Sequence, residues 1–203
     1  MVGVQAARGG QAGVQLRPSP DQVVASHQVR LSGPSTVRQC CDRRQGLHQA
    51  ARRAGLDPDE VIVEVTLPVL NAQGGESGLA QLLKDERRPS AIFCVNDMVA
   101  VGVLRGLEER GIAAPGEMSV VGYDDVEFAS LLSPALTSIR MPKQQLGRAA
   151  AELLVTDFRG DTDHWHQEIV FQPELVVRAS TSPPDPSGPR ETRRTAQGGQ
   201  RRP

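Results

Sequence analysis

An α/β fold built on a parallel sheet is what this chain predicts, and three observations predict it. Short apolar runs of strand length, among them Val61–Ile62–Val63–Glu64–Val65, Ala91–Ile92–Phe93–Cys94–Val95 and Val120–Val121–Gly122–Tyr123, read as buried parallel strands. The stretches between them carry apolar residues at helical spacing. Two of the runs also stop abruptly in paired polar side chains, Asn96–Asp97 and Asp124–Asp125. Ligands of open α/β sheets sit just beyond the carboxyl ends of the strands, so these pairs mark a site.

The elements follow in order. Val29–Ser32 is a strand, and Gly33–Pro34–Ser35–Thr36 turns into a helix from about Val37 to Ala54 that stops at Gly55. Val61–Val65 is the next strand, and Ser77–Leu83 with its flanks the next helix. The strand at 91–95 leads to a helix from Met98 to Arg110, with apolar residues at 99, 103, 104 and 107 and Gly111 as its stop. After the strand Val120–Tyr123, Leu136–Ile139 is extended and Pro142 precedes a helix over Lys143–Phe158. That last helix has the stripe Leu146, Ala149, Ala150, Leu153 and Leu154. Ile169–Phe171 and Leu175–Arg178 are expected as closing strands on either side of Pro173. Alternation of strands and helices implies a parallel sheet with helices on both faces.

Composition narrows the class. A chain of 203 residues holds one domain of ordinary size with tails. Four Phe, one Trp and one Tyr leave the core to Val, Leu, Ile and Ala. A net charge of −1 argues against a globally basic nucleic-acid binder. Cys40, Cys41 and Cys94 are odd in number and two are adjacent, which fits neither a disulfide framework nor a zinc spacing. Free thiols suit a reducing compartment. No secretory leader or membrane-length apolar run is read from the sequence, so a cytoplasmic location without a membrane partner is expected. Residues 1–26 and 182–203, the latter rich in Pro and Arg, are expected to be disordered.

Catalytic signatures find no match: there is no phosphate-binding Walker loop, no Gly-x-Ser-x-Gly and no His-Glu-x-x-His. Asp161, Asp163, His164 and His166 share a short stretch, but their spacing fits no standard metal motif and a solvated loop is expected. No catalytic residue, cofactor or metal is therefore assigned.

Five pieces then carry a resemblance: Arg87–Arg88–Pro89–Ser90–Ala91–Ile92–Phe93–Cys94–Val95–Asn96–Asp97, Ser119–Val120–Val121–Gly122–Tyr123–Asp124–Asp125, Leu136–Thr137–Ser138–Ile139–Arg140, Leu146–Gly147 and Pro173–Glu174–Leu175–Val176–Val177–Arg178. In this order they resemble the C-terminal part of LacI/GalR-type transcriptional regulators over residues 27–181. The resemblance implies a type I periplasmic-binding-protein-like sensor. The match begins near His27, at the first strand of the sensor's second lobe, so a sensor lobe truncated at its N-terminus and without its helix-turn-helix is expected. The helix at 143–158 resembles the one returning to the first lobe.

By the same resemblance, Arg43, Asn96 and Asp124 contact a sugar-like effector. Their chemistry agrees, because a carboxylate accepts, a guanidinium donates and an amide does both, which together satisfies a vicinal diol. Asp97 and Asn96 both stand where a helix N-cap belongs; the cap is assigned to Asp97 and ligand contact to Asn96. Asp125 is secondary, as a cap for the turn toward Phe128, and Tyr123 is a packing residue with its hydroxyl paired at the cleft. The family dimerises through its sensor, which points to Val101, Phe128, Leu131 and Leu132. The implied function is effector sensing and dimerisation in a transcription regulator that reaches operator DNA only through a head absent here. The alternatives are a half-sensor that pairs with a full-length repressor, a periplasmic-type sugar receptor fragment, and an inert product of a mis-started or frameshifted gene.

Overall fold

The computed structural model describes residues 27–85, 89–158 and 169–183. The expectations for 1–26, for the acidic and histidine-bearing stretch at 161–166 and for the C-terminal arginines lie outside the described residues.

The described chain runs β1 (His27–Ser32), α1 (Arg38–Arg53), α2 (Pro58–Val61), β2 (Ile62–Thr66), α3 (Ala72–Leu82), β3 (Pro89–Cys94), α4 (Asp97–Glu108), β4 (Ser119–Asp124), a 3-10 turn at Glu127–Ser130, β5 (Thr137–Arg140), α5 (Lys143–Phe158) and β6 (Glu174–Val176). One sheet holds all six strands in the order β2-β1-β3-β4-β5-β6. The first five are parallel and β6 closes the edge antiparallel to β5. The strand order reverses direction between β1 and β3.

The two faces of the sheet differ in chemistry. Val29, Leu31, Val65, Ile92, Cys94 and Val120 form the main core with Leu79, Leu82, Val99, Val103 and Leu107 of α3 and α4. The apolar positions 99, 103, 104 and 107 are all buried, as their spacing requires. Alternate residues of β1 and β2 point the other way, toward α1. There Ile62 joins Val61 and Ala51 in a small second cluster, beside a group of charges.

Those charges centre on Glu64, which lies in register with Arg30 across β1 and β2. Its carboxylate accepts from Arg30 at 3.2 Å, from Arg44 Nε at 2.7 and 2.9 Å and from His48 Nε2 at 2.8 Å. The Arg30 guanidinium, 4% exposed, also donates to Ser32 Oγ and to the Cys40 carbonyl. A continuous apolar run was the expected strand signature; in β1 and β2 it holds for one face only.

Helix ends follow local chemistry. Gly55 and Gly111 both have positive φ, 77° and 66°, just past α1 and α4. Helix α3, expected over Ser77–Leu83 with its flanks, starts at Ala72, with Asn71 Oδ1 accepting from the Gly74 amide at 3.0 Å. The glycines that look like a turn are instead a packing surface. A Cβ on Gly75 would stand 2.1 Å from the Val99 carbonyl, and one on Gly102 would stand 1.8 Å from that of Ala72. Bare backbone is what lets α3 and α4 touch. Two further expectations change. Ile169–Phe171 forms no strand, and β6 ends at Val176 because Arg178 turns to donate its amide to Thr137 Oγ1 at 2.9 Å.

The Glu64 group predicts a specific pH response. Burial opposes its charge, but the hydrogen bonds from His48 and Arg44 outweigh that and hold the carboxyl below its usual range. A carboxyl whose folded value is depressed stabilises the fold above its unfolded value, about 4.3, and loses that contribution as pH falls through the folded value. Glu64→Gln should therefore lower stability at pH 7 by roughly 1–3 kcal/mol, since it leaves the buried Arg30 without its charged partner. Urea unfolding should show the gap to wild type closing as pH falls below about 4. An equal gap at pH 7 and pH 3 would refute the assignment.

Candidate functional site

The carboxyl ends of β1, β3, β4 and β5 lie along one edge of the sheet, and the polar pairs read from the sequence stand there. Asp124, the last residue of β4, has φ of 103°, and Asp125 has φ of 46°. Two consecutive non-glycine residues at positive φ are strained, at about 1–3 kcal/mol each, and persist only where their surroundings over-determine them. Asp124 lines a cavity of about 320 Å³ with Asp125, Arg140, Met141, Pro142, Lys143, Gln144 and Gln145. Burial pushes the Asp124 carboxyl above its usual range, against the opposing pull of Arg43 and Lys143.

Arg43 reaches this edge from α1. Its guanidinium lies 3.6 Å from the centroid of the Tyr123 ring and donates through Nη1 to the Val95 carbonyl. It thus bridges the ends of β3 and β4, and a cation over an aromatic face contributes about 0.5–2 kcal/mol to holding it there. Four of its five N–H donors are not used by that bond. The Tyr123 hydroxyl donates to Met141 Sδ at 3.3 Å. Arg43, Tyr123 and Asp124 are thereby brought together.

Asn96 plays a part that differs from the reading above. It is the N-cap of α4: Oδ1 accepts from the Val99 amide at 2.8 Å, and Nδ2 donates to the Leu70 carbonyl at 3.2 Å. One N–H of the amide group remains available for a ligand. Asp97, expected as the cap, is instead the first helical residue and is only 1% exposed. Its Oδ2 accepts from the Val126 amide at 2.9 Å and its Oδ1 from Ser138 Oγ at 2.6 Å. The physical reason is reach: a cap side chain must fold back on its own helix, whereas this one points across to β4 and β5. Gly122 makes room for it, since a Cβ there would lie 2.2 Å from Asp97 Oδ1. Burial pushes the Asp97 carboxyl up, with Ser138 and Val126 acting against it.

Asp125 does not cap the turn toward Phe128; the residue in that position is Val126 and it makes no side-chain cap bond. The Asp125 carboxylate, 5% exposed, lies between two arginines instead, 2.7 Å from Arg140 Nε and 2.7 Å from Arg178 Nη1. Burial opposes its charge, and the two guanidinium groups more than compensate, holding the carboxyl below its usual range.

Arg140, Met141 and Lys143 belong to the site and were not read from the sequence. A signal was there: strand, proline and helix in succession mark another carboxyl edge. Of the interface candidates, Val101 and Phe128 are half-buried and Leu131 is 82% exposed, while Leu132 packs partly against the main core. The interface candidates at 128–132 are therefore split between core and surface. Helix α5 buries none of its residues, and Leu154, Val155 and Phe158 stand exposed on it. Among the described residues no group of His, Cys, Asp and Glu is placed to hold a metal ion, and no helix is long and apolar enough to cross a membrane.

Comparison with known proteins converges on one family. Residues 28–181 match the periplasmic binding protein-like domain. The chain is 34% identical over 155 residues to the HTH-type transcriptional repressor PurR of Vibrio atlanticus, covering 74% of this chain and 44% of that protein. It therefore spans less than half the length of this curated relative. A LacI family transcriptional regulator from Enterococcus faecium, solved with bound ribose, superposes with a TM-score of 0.69 at 27% identity over 79% of this chain and 58% of that one. A lac repressor dimer bound to operator and the anti-inducer ONPF gives a TM-score of 0.66 at 28% identity, over 77% and 52%.

The desolvated Asp124 carboxylate has a measurable signature. An acid whose folded value is raised destabilises the fold while ionised, and the cost is relieved as pH falls through that raised value. Asp124→Asn, which tolerates positive φ, should raise the melting temperature at pH 7 by roughly 1–5 °C, an ordinary gain for relaxing a functional site. Scanning calorimetry should show the difference shrinking on acidification. A variant less stable than wild type at pH 7 would contradict the burial argument.

Proposed function

Because the chain belongs to the periplasmic-binding-protein-like sensor domains of LacI-type transcription regulators, we propose that it is the effector-sensing portion of such a regulator. Its ligand is an uncharged polyhydroxyl molecule of sugar size, and its role is sensing in the cytoplasm, not catalysis. The sensor portion runs over 27–181. One observation supports this reading: Asp124 faces an open cavity with a partly desolvated carboxylate that feels the charge of Arg43, whose guanidinium is held on Tyr123 with donors to spare, outside the cavity lining. An acceptor-only group beside donor-only groups suits adjacent hydroxyls. Asn96 adds one N–H after meeting its capping duty.

Dimer formation belongs to the same proposal, with Val101, Phe128 and Leu131 as the surface to test and operator DNA reached through a separate segment. A second reading is favoured by the bare apolar side of α5, where Leu154, Val155 and Phe158 are 57%, 50% and 83% exposed. That face suits pairing with the sensor of a longer, related regulator.

Isothermal titration against a panel of pentoses, hexoses and free nucleobases tests the ligand class. At least one neutral polyol should bind, with a Kd between about 10 μM and 1 mM, because an open cavity buries less than the roughly 70–90% of ligand surface covered in a closed site. Asp124→Ala and Arg43→Ala should each weaken that ligand by about tenfold or more, the loss of a charge-assisted hydrogen bond. Silence across the panel would remove the reading.

A further inference from the structure

We propose that Arg178 is a positioning residue, holding Asp124 in its strained, cavity-facing conformation through Asp125. The consequence for effector binding rests on the functional reading above; the conformational claim does not.

The argument starts from the backbone. Asp124 and Asp125 both lie at positive φ, so the turn after β4 is a state that the chain leaves unless it is pinned. Three pins are visible. The Asp125 amide donates to Ser138 Oγ at 3.1 Å, the Val126 amide donates to Asp97 Oδ2 at 2.9 Å, and the Asp125 carboxylate is gripped by Arg140 and Arg178. The two grips are unequal. The Arg140 side chain is 48% exposed and also reaches Glu174 at 3.5 Å, so water screens it. The Arg178 side chain is 17% exposed; its Nη1 donates to the Leu136 carbonyl at 2.7 Å and meets the buried Asp125 Oδ1, which no hydrogen bond reaches, as an ion pair at 2.7 Å.

Arg178 is itself fixed by the segment that bears it. Its amide donates to Thr137 Oγ1, which pairs in turn with Thr181 Oγ1 at 2.9 Å. The fully buried Ser180 accepts from the Thr137 amide at 2.8 Å and donates to the Val120 carbonyl at 2.6 Å. Its own carbonyl accepts from the Val120 amide at 2.8 Å. Residues 178–181 are thus threaded between the starts of β4 and β5, and Arg178 extends that anchorage to the site at the far end of the same strands. Without it, Asp125 keeps only a screened partner, the turn relaxes, and the Asp124 carboxyl leaves the cavity for open water.

The test reads Asp124 itself. Its carboxyl carbon is titrated by NMR in wild type and in Arg178→Gln, with circular dichroism confirming the fold. The charged groups around it are Arg43 from α1, Lys143 from α5, Asp97 from α4 and the Asp125 pair. If Arg178 acts by position, its loss lets water reach Asp124, and the raised titration midpoint falls toward the ordinary aspartate value. If Arg178 is merely a nearby cation, its loss raises the midpoint further, and that result overturns the proposal, as does an unchanged midpoint. Should the glutamine variant fail to fold, Arg178→Lys decides by the same readout, because it keeps the charge but not the planar guanidinium whose Nη1 lies against both the Leu136 carbonyl and Asp125. Affinity for D-ribose, measured on the same samples, should drop about tenfold in Arg178→Gln, one broken charge-assisted hydrogen bond's worth. A wild type that does not bind D-ribose counts against that ligand, while the Asp124 midpoint still decides the role of Arg178.

Discussion

The buried carboxylate of Asp97 is the constraint on which the site depends. There the start of α4, the turn after β4 and the middle of β5 meet through one side chain, with both of its oxygens occupied. Burying an ionised carboxylate costs several kcal/mol unless it is paired or well hydrogen-bonded, and here an amide and a hydroxyl supply the bonds. The geometry leaves no slack. Gly122 is bare so that Asp97 can come close, and Leu136 fills the remaining space at the same point. Because α4 begins at Asp97, the position of a core helix and the shape of the ligand edge are set by the same residue.

The sheet divides its labour in a way that follows from that arrangement. One face is apolar and carries α3 and α4 on the main core; the other carries α1 and, over β1 and β2, a charge cluster around Glu64. Such a cluster adds little net stability compared with an apolar core, but it fixes direction, since each partner must be met at a set angle. Arg44 and His48 anchor the middle of α1 to β2. Arg43, their neighbour in sequence, is consequently aimed at the ends of β3 and β4 and comes to rest on Tyr123. The contacts of Arg44 and His48 with Glu64 thus set the orientation of the helix that carries Arg43.

How much of this was legible in the sequence depended on whether the deciding interaction was local. The ends of α1 and α4 were readable, because a glycine at positive φ leaves a signature beside the helix it stops. Asn96 and Asp124 were legible as strand-end residues, since strand ends are marked by the change from apolar to polar, whereas Arg43, on α1, was indicated only by the family resemblance. The start of α3 was not marked in the sequence: the helix was expected over Ser77–Leu83 with its flanks, and close contacts such as that of Gly75 with Val99 of α4 show why the glycines before it are helical. The cap of α4 fell on Asn96 and not Asp97 for a related reason, that Asp97 had partners 29 and 41 residues away. Arg178 lay in plain view within a recognised motif, yet its partner Asp125 is 53 positions distant by number and could not be inferred from either residue alone. Local chemistry was legible; cross-strand polar pairing was not.

Asp125 and Asp124 show why that pairing matters for function. They are adjacent and chemically identical, yet one carboxyl is held below its usual range and the other above it. The difference lies in what the fold supplies: two guanidinium groups for Asp125, and an opening for Asp124. A carboxylate that the protein has already satisfied gains little from a ligand. One that is partly stripped of water and left facing a cavity gains a full hydrogen bond when a hydroxyl arrives, because the cost of desolvation was met during folding. Strain in the turn and incomplete solvation of Asp124 thus occur together, beside an Asp125 carboxylate held by two ion pairs.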